Sequence, residues 1–241
     1  MKHLTVIALG GSLIVPHLSD TDGIDVLFLQ SFRKFLLQEL KKGNKYIVVT
    51  GGGRTTRVYQ KAAGQIVSMT SEDLDWVGIH STRLNAHLLR TIFQKEAHPV
   101  VIDHDLLPAE VRKLKKSGKN LFIASGWKPG WSTDYVAMRL AEKFGAKQII
   151  IAGDVSHVYD KDPKRYTKAK RIENISWSDY QKLVSAEWTP GMSSPVDPVA
   201  AKLAKKAQLT AKILKGSDLE NLRASARGTL FKGTTIHPKL D

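Results

Sequence analysis

Leu4-Thr5-Val6-Ile7-Ala8-Leu9-Gly10-Gly11-Ser12 is a short apolar run that stops on two glycines. Within residues 1–11, Leu4, Val6, Ile7 and Leu9 place apolar side chains on both faces of an extended chain. That predicts a strand covered on both sides. The pattern returns where Tyr46-Ile47-Val48-Val49-Thr50 runs into Gly51-Gly52-Gly53. Further buried strands are predicted over 121–124 and 148–152, with a short one at 98–102. Helical periodicity lies between them. Leu29, Phe32, Leu36 and Leu40 recur at three- and four-residue spacing over 24–42, and Lys41-Lys42 followed by Gly43-Asn44 closes that helix. Helices are also expected from about Thr55, over 73–94 and over 133–144. Short strands, most followed by a helix, make an α/β three-layer sandwich with a mostly parallel central sheet.

Past Asp154 the pattern changes. Residues 160–170 are polar and basic, with the turn signal Asp162-Pro163, and read as an excursion before the next short strand. Helices then suit 178–185, 198–206 and 218–223, with a strand at 211–214 and a closing pair of strands over 228–236. No composition break marks a linker and no repeat is visible, so residues 1–241 are expected to form one domain with two lobes.

The 241 residues are 42% hydrophobic and 25% charged, enough for a large core without staples. There is no cysteine, which excludes disulfides and thiolate metal sites. No apolar run reaches the roughly 18 residues needed to span a bilayer, and the N-terminus lacks a signal-like segment. A cytoplasmic protein with no membrane partner is expected. The net charge is +14. A lysine-rich solvated surface accounts for it, and a basic cleft drawing in small polyphosphates is a second account. Nucleic-acid binding is disfavoured, because the basic runs 112–119 and 161–171 carry no clear aromatic stacking platform. His80 and His87 lie seven apart without carboxylates at ligand spacing, so no metal site is read.

Three stretches carry chemistry. Gly10-Gly11-Ser12 and Gly51-Gly52-Gly53 each end a strand, where a backbone without Cβ can approach a phosphate closely. Neither is a Walker A sequence or a Gly-x-Gly-x-x-Gly fingerprint. Arg54 and Arg57 follow the second cluster, and Arg57 can present its planar fork to a phosphate. The third stretch, Ser125-Gly126-Trp127-Lys128-Pro129-Gly130-Trp131-Ser132-Thr133-Asp134, joins a strand to a helix that Ser132 or Thr133 can cap. Two tryptophans beside a lysine in a loop suggest an exposed pair awaiting a partner.

With these motifs in order, the chain resembles the amino-acid kinase superfamily, specifically its archaeal-type UMP kinase branch. Gly10-Gly11-Ser12-Leu13-Ile14-Val15-Pro16 and Gly51-Gly52-Gly53-Arg54-Thr55-Thr56-Arg57 match its two glycine loops. Asp75-Trp76-Val77-Gly78-Ile79 and Thr82-Arg83-Leu84-Asn85-Ala86 resemble its monophosphate helix. Pro129-Gly130 with Ser132-Thr133-Asp134 matches its substrate loop. Val158-Tyr159-Asp160-Lys161-Asp162-Pro163-Lys164 resembles its ATP loop, and residues 193–202 its late motif.

The resemblance implies a carbamate-kinase-like fold and transfer of the γ-phosphoryl of ATP to UMP, in pyrimidine nucleotide synthesis. It implies catalytic roles for Arg57, Asp134 and Lys202. ATP would lie on Gly10, Gly11, Ser12, Gly53, Arg57, Asp154, Tyr159, Asp162 and Lys164. UMP would lie on Gly52, Asp75, Trp127, Lys128, Pro129, Gly130, Trp131, Ser132 and Thr133. Residues 1–145 would form the acceptor lobe and 146–241 the ATP lobe. Mg²⁺ would arrive on ATP, with no protein metal site, and a homo-oligomer, a hexamer, is implied.

The chain departs from the family pattern in places. Ala8 stands where many members carry Lys, and Arg54 where Lys is usual. Gly126-Trp127 replaces Gly-Gly. Gly153-Asp154-Val155-Ser156-His157-Val158-Tyr159 replaces Thr-Asn-Val-Asp-Gly-Val-Tyr. Gly153 without the Thr hydroxyl, Asp154 in place of an amide and His157 in place of Gly are all expected to loosen or re-aim the grip on the donor base, unless the His157 ring has become a stacking surface. The rival readings are an isopentenyl phosphate or acylamino-acid kinase and a catalytically inactive nucleotide-binding protein on the same fold. Thr56-Arg57, where the isopentenyl phosphate type has histidine, and Asn85 favour a nucleotide.

Overall fold

The structure is a computed structural model that describes residues 3–17, 23–163, 166–187 and 195–238. The chain runs β1 (Leu4–Leu9), α1 (Gly11–Ile14), α2 (Val26–Lys41), β2 (Lys45–Thr50), α3 (Gly53–Gly64) and α4 (Ser71–Ile92). Then come α5 (Pro108–Lys116), β3 (Leu121–Ala124), α6 (Thr133–Phe144), β4 (Gln148–Gly153), β5 (Val158–Tyr159), β6 (Arg171–Ile172) and β7 (Asn174–Ser176). The last elements are α7 (Trp177–Glu187), α8 (Pro198–Lys206), β8 (Thr210–Lys215), α9 (Leu219–Ala226) and β9 (Thr234–His237).

Seven strands form one sheet in the order β3-β2-β1-β4-β8-β9-β7. The five from β3 to β8 are parallel; β9 runs antiparallel to β8, and β7 is parallel to β9. Alternation along each strand sorts the core into two layers. Val6, Ala8, Ile47, Val49, Ile149 and Ile151 face one way, against α6 and α8; Ile7, Leu9, Val48, Ile150 and Ala152 face the other, with Phe32, Leu36 and Leu89 of α2 and α4. The apolar runs therefore make the expected three-layer sandwich.

β1 sits between β2 and β4, so connections leave its two sides in opposite directions. In open α/β sheets the crevice at the carboxyl ends of such strands is where ligands bind. Here α1, α3 and α6 start beside that edge.

Three readings need correction, while the short strand expected after the 160–170 excursion is present as β6. Residues 98–102 form no strand; the segment touches β3 through two isolated bridges, Ala97 to Leu121 and Ile102 to Ala124. Pro99 between them has no N–H to continue a ladder. The closing segment contributes one strand, β9, because 228–233 is a loop that begins at Gly228 with φ +73° and exposes Leu230. Helix α5 was not anticipated behind its basic residues, although Pro108 at its first turn and Glu110, whose carboxylate accepts from Leu107 N at 2.7 Å, are start signals. The 160–170 excursion is framed by the small β5–β6 ladder.

Candidate active site

The two glycine loops pack backbone on backbone at the carboxyl ends of β1 and β2. A Cβ added to Gly11 would fall 2.1 Å from Gly53 N, and one added to Gly53, whose φ is +69°, would fall 2.3 Å from Gly11 O. No side chain fits there, which is why glycine occupies both positions. Asn85 of α4 is buried and donates from Nδ2 to Gly51 O at 2.8 Å, fixing the second loop from behind. Gly10 N donates to Ala152 O at 2.8 Å, tying the first loop to β4.

The loop between β3 and α6 is held from two sides. Gly126 N donates to Thr82 Oγ1 at 2.8 Å, and Gly130 N, with φ +80°, donates to Asp75 Oδ2 at 2.7 Å. The loop ends at Ser132, the N-cap of α6, whose Oγ accepts from Tyr135 N at 2.9 Å. The same hydroxyl donates to Asp197 Oδ2. Asp197 in turn caps α8, accepting on Oδ1 from Val199 N and Ala200 N at 2.9 and 3.0 Å.

Two hollows open on either side of Thr133. One, about 230 Å³, is lined by Ala8, Gly10, Asp134, Gly153, Asp154 and Val155 among others. The second, about 300 Å³, is lined by Gly52, Thr56, Asp75, Gly78, Trp131 and Ser132 among others. Thr133 belongs to both. Burial, with the nearby Asp197 carboxylate adding repulsion, pushes the Asp134 pKa up to about 7. No Lys or Arg is among the described residues that line the first hollow. Among the described residues, no group of three or more His, Cys, Asp or Glu stands close enough to hold a metal ion.

Of the anticipated site residues, Gly10, Asp134 and Asp154 meet in the first hollow, and Gly52, Asp75, Trp131, Ser132 and Thr133 in the second. Gly11 and Gly53 pack against each other where α1 and α3 begin, Ser12 follows on α1, and none of the three lines either hollow. Arg57 is exposed on α3, with no hydrogen bond or ion pair to the described residues. Lys128 lies with Nζ 4.3 Å over the Trp131 ring, beside half-buried Pro129 and exposed Gly130. Tyr159 is half-buried on β5, and Asp162 accepts from Tyr166 N through its carbonyl at 2.9 Å. Lys164 lies outside the described residues.

One expectation changes, and two further residues singled out in the sequence lie away from both hollows. Trp127 is a core residue, 4% exposed, donating from Nε1 to Ile102 O at 3.3 Å. The tryptophans are therefore not an exposed pair; only Trp131 faces the hollow. Lys202 is exposed on α8 and lines neither hollow, because α8 turns Ala200, Ala201 and Ala204 inward instead. His157 is buried and lines neither; it faces a separate space with Arg171 and Glu173, its ring edge-on to Tyr159 at 6.3 Å. Burial and the Arg171 charge lower its pKa. Sequence reasoning missed Asp197 as a partner of Ser132, since the contact spans 65 residues. The signal available was Asp-Pro before an alanine-rich helix, an N-cap with Pro at N1.

The family model of the amino acid kinase family matches residues 3–215. The uridylate kinase of Thermococcus sibiricus is 34% identical over 236 residues, covering 97% of this chain and 99% of that one. The uridylate kinase of Methanosarcina barkeri is 34% identical over 246 residues, covering 98% and 100%. Among solved structures, uridylate kinase from Archaeoglobus fulgidus superposes with a TM-score of 0.78 at 30% identity, covering 98% of this chain and all of that one. UMP kinase from Bacillus anthracis shares the fold, with a TM-score of 0.78 at 20% identity. The chain belongs to the amino acid kinase family.

Proposed function

We propose that this chain is a UMP kinase, transferring the γ-phosphoryl of ATP to UMP to give ADP and UDP. The observation that carries this reading is the pair of hollows sharing Thr133, with Asp134 beside it at the start of α6. Two phosphorylated ligands placed there bring their phosphates together across one helix N-terminus. Phosphoryl transfer asks mainly for such positioning and for charge neutralisation. The full-length uridylate kinase relatives support the choice of UMP.

In this reading residues 146–241 and the Gly10 loop hold ATP, and residues 52–133 hold UMP. The lobes divide near residue 145. Asp75 orients the substrate loop through Gly130 and keeps its second oxygen for the acceptor. Arg57, whose side chain has no hydrogen bond or ion pair among the described residues, swings onto the acceptor phosphate. Tyr159 and Asp162 lie along the donor base and ribose. Magnesium would be carried by the ATP polyphosphate, where it would neutralise phosphate charge, and Asp134 and Asp154 are the carboxylates that line this hollow. No catalytic base is needed, since a UMP phosphate oxygen is already anionic. The reading includes a cytoplasmic location and a homo-oligomer; among the described residues no helix is long and apolar enough to cross a membrane.

A second reading, nucleotide binding without turnover, is favoured by one observation: no described Lys or Arg lines the ATP hollow, where Ala8 stands in place of the family lysine. An ADP-release assay with MgATP against a panel of nucleoside monophosphates and small phosphorylated or carboxylic acids separates the two. The kinase reading expects turnover with UMP above all others. Binding of ATP with no ADP released from any acceptor would favour the second.

A further inference from the structure

We infer that the Thr56 hydroxyl hydrogen-bonds a phosphate oxygen of the acceptor, which makes Thr56 a specificity residue for the phosphate end of that ligand. The inference rests on the acceptor reading above. Thr56 lies one turn into α3 and lines the acceptor hollow. Its Oγ1 is buried and has no hydrogen-bond partner among the described residues. Helical threonines usually return such a hydroxyl to the carbonyl four residues back. Here that carbonyl is Gly52 O, which accepts instead from Asn85 Nδ2 at 3.3 Å. A buried hydroxyl left unpaired carries a desolvation cost, so its persistence beside a polar hollow points to a ligand atom that completes it.

The place of the hydroxyl selects which ligand atom. A Cβ built on Gly52 would fall 1.9 Å from Thr56 Oγ1, so the hydroxyl occupies the space that the missing side chain leaves. Gly52 belongs to the loop packed against the Gly10-Gly11 turn. The hollow meets the ATP side at Thr133. The acceptor atoms at that junction must be those that receive the phosphoryl group. Gln60, one turn further along α3, is already committed, donating from Nε2 to Leu74 O at 2.8 Å.

The test uses wild type, Thr56→Val (near-isosteric, no hydroxyl) and Thr56→Ser, each checked for an unchanged thermal midpoint. The Val variant should raise the UMP KM about fivefold while leaving the MgATP KM alone, and the Ser variant should restore it to within about twofold. The ratio of kcat/KM for UMP over dUMP should stay constant across the three. A fall in that ratio in the Val variant would put the hydroxyl on the ribose and overturn the phosphate assignment, as would an unaltered UMP KM. If the wild type leaves UMP untouched, the functional reading fails by itself. The Thr56 assignment is then decided by the Kd of inorganic phosphate, followed by Trp131 fluorescence. A Kd about fivefold weaker in the Val variant supports it, and equal values overturn it.

Discussion

Ser132 and Asp197 join two helix starts: the Ser132 hydroxyl caps α6 while donating to the carboxylate that caps α8. The N-termini of α6 and α8 are thus tied to each other. Replacing an N-cap by alanine costs about 0.5–2 kcal/mol. Asp197→Ala removes one cap and strips Ser132 of its acceptor, so a loss near the upper end of that range is expected in urea denaturation. Turnover should fall further than in Ser132→Ala, because Asp197 also sets the field at Asp134. Equal stability in wild type and Asp197→Ala would contradict the link.

Asp134 gives a pH signature. Its folded-state pKa is about 7, above the ordinary carboxylate value of about 4. The folded protein therefore holds a proton that the unfolded chain has released. Its contribution to stability is full below about pH 4 and is lost as pH rises through about 7. Thermal midpoints of ligand-free wild type and Asp134→Asn should diverge over this window, the variant gaining relative to wild type towards pH 8. In turnover the same variant should lose kcat with little change in UMP affinity. Parallel midpoint curves would show that Asp134 is an ordinary solvated acid.

Arg57 is exposed and unpartnered among the described residues, so Arg57→Ala should leave stability within about 0.5 kcal/mol of wild type. A charge-assisted hydrogen bond contributes about 1.5–3 kcal/mol, so kcat/KM for UMP should drop about tenfold to a hundredfold, with the MgATP KM less affected. Unaltered UMP kinetics would remove Arg57 from the site.

Gly153 and His157 now separate. A Cβ on Gly153 meets nothing within 4 Å, so Gly153→Thr should fold normally and, by adding a hydroxyl beside the ATP hollow, tighten ATP a few-fold. His157→Gly should leave ATP affinity unchanged, because the ring faces Arg171 and Glu173, and should instead destabilise the fold by opening a cavity. Isothermal titration and chemical denaturation on both variants distinguish these effects. An ATP affinity that moves with His157 and not with Gly153 would reverse the assignment.

What could be read from the chain was set by local periodicity. The apolar strands ending in glycine announced the parallel sheet, and residues 133–144 and 198–206 carried their helix signals within one turn of their ends. The pairing of Ser132 with Asp197 was hidden because neither residue has a local reason to seek the other. Trp127 was misjudged because a loop position says nothing about depth; its ring is drawn into the core between Ile102 and Trp131. The late motif includes Lys202, whereas the helical period points the alanines of α8 inward and leaves the lysine outside. Nothing local in the sequence marks the Thr56 hydroxyl, because its meaning lies in the partner it lacks among the described residues.

The most direct test of the account is to follow the phosphoryl group itself. Wild type and Asp134→Asn are incubated with MgATP labelled at the γ-phosphate and with UMP, and the products are separated. The account predicts UDP labelled at its β-phosphate from the wild type and a severe loss of that product from the variant. Label that stays on ATP, or passes only to water, while both nucleotides bind, would contradict it.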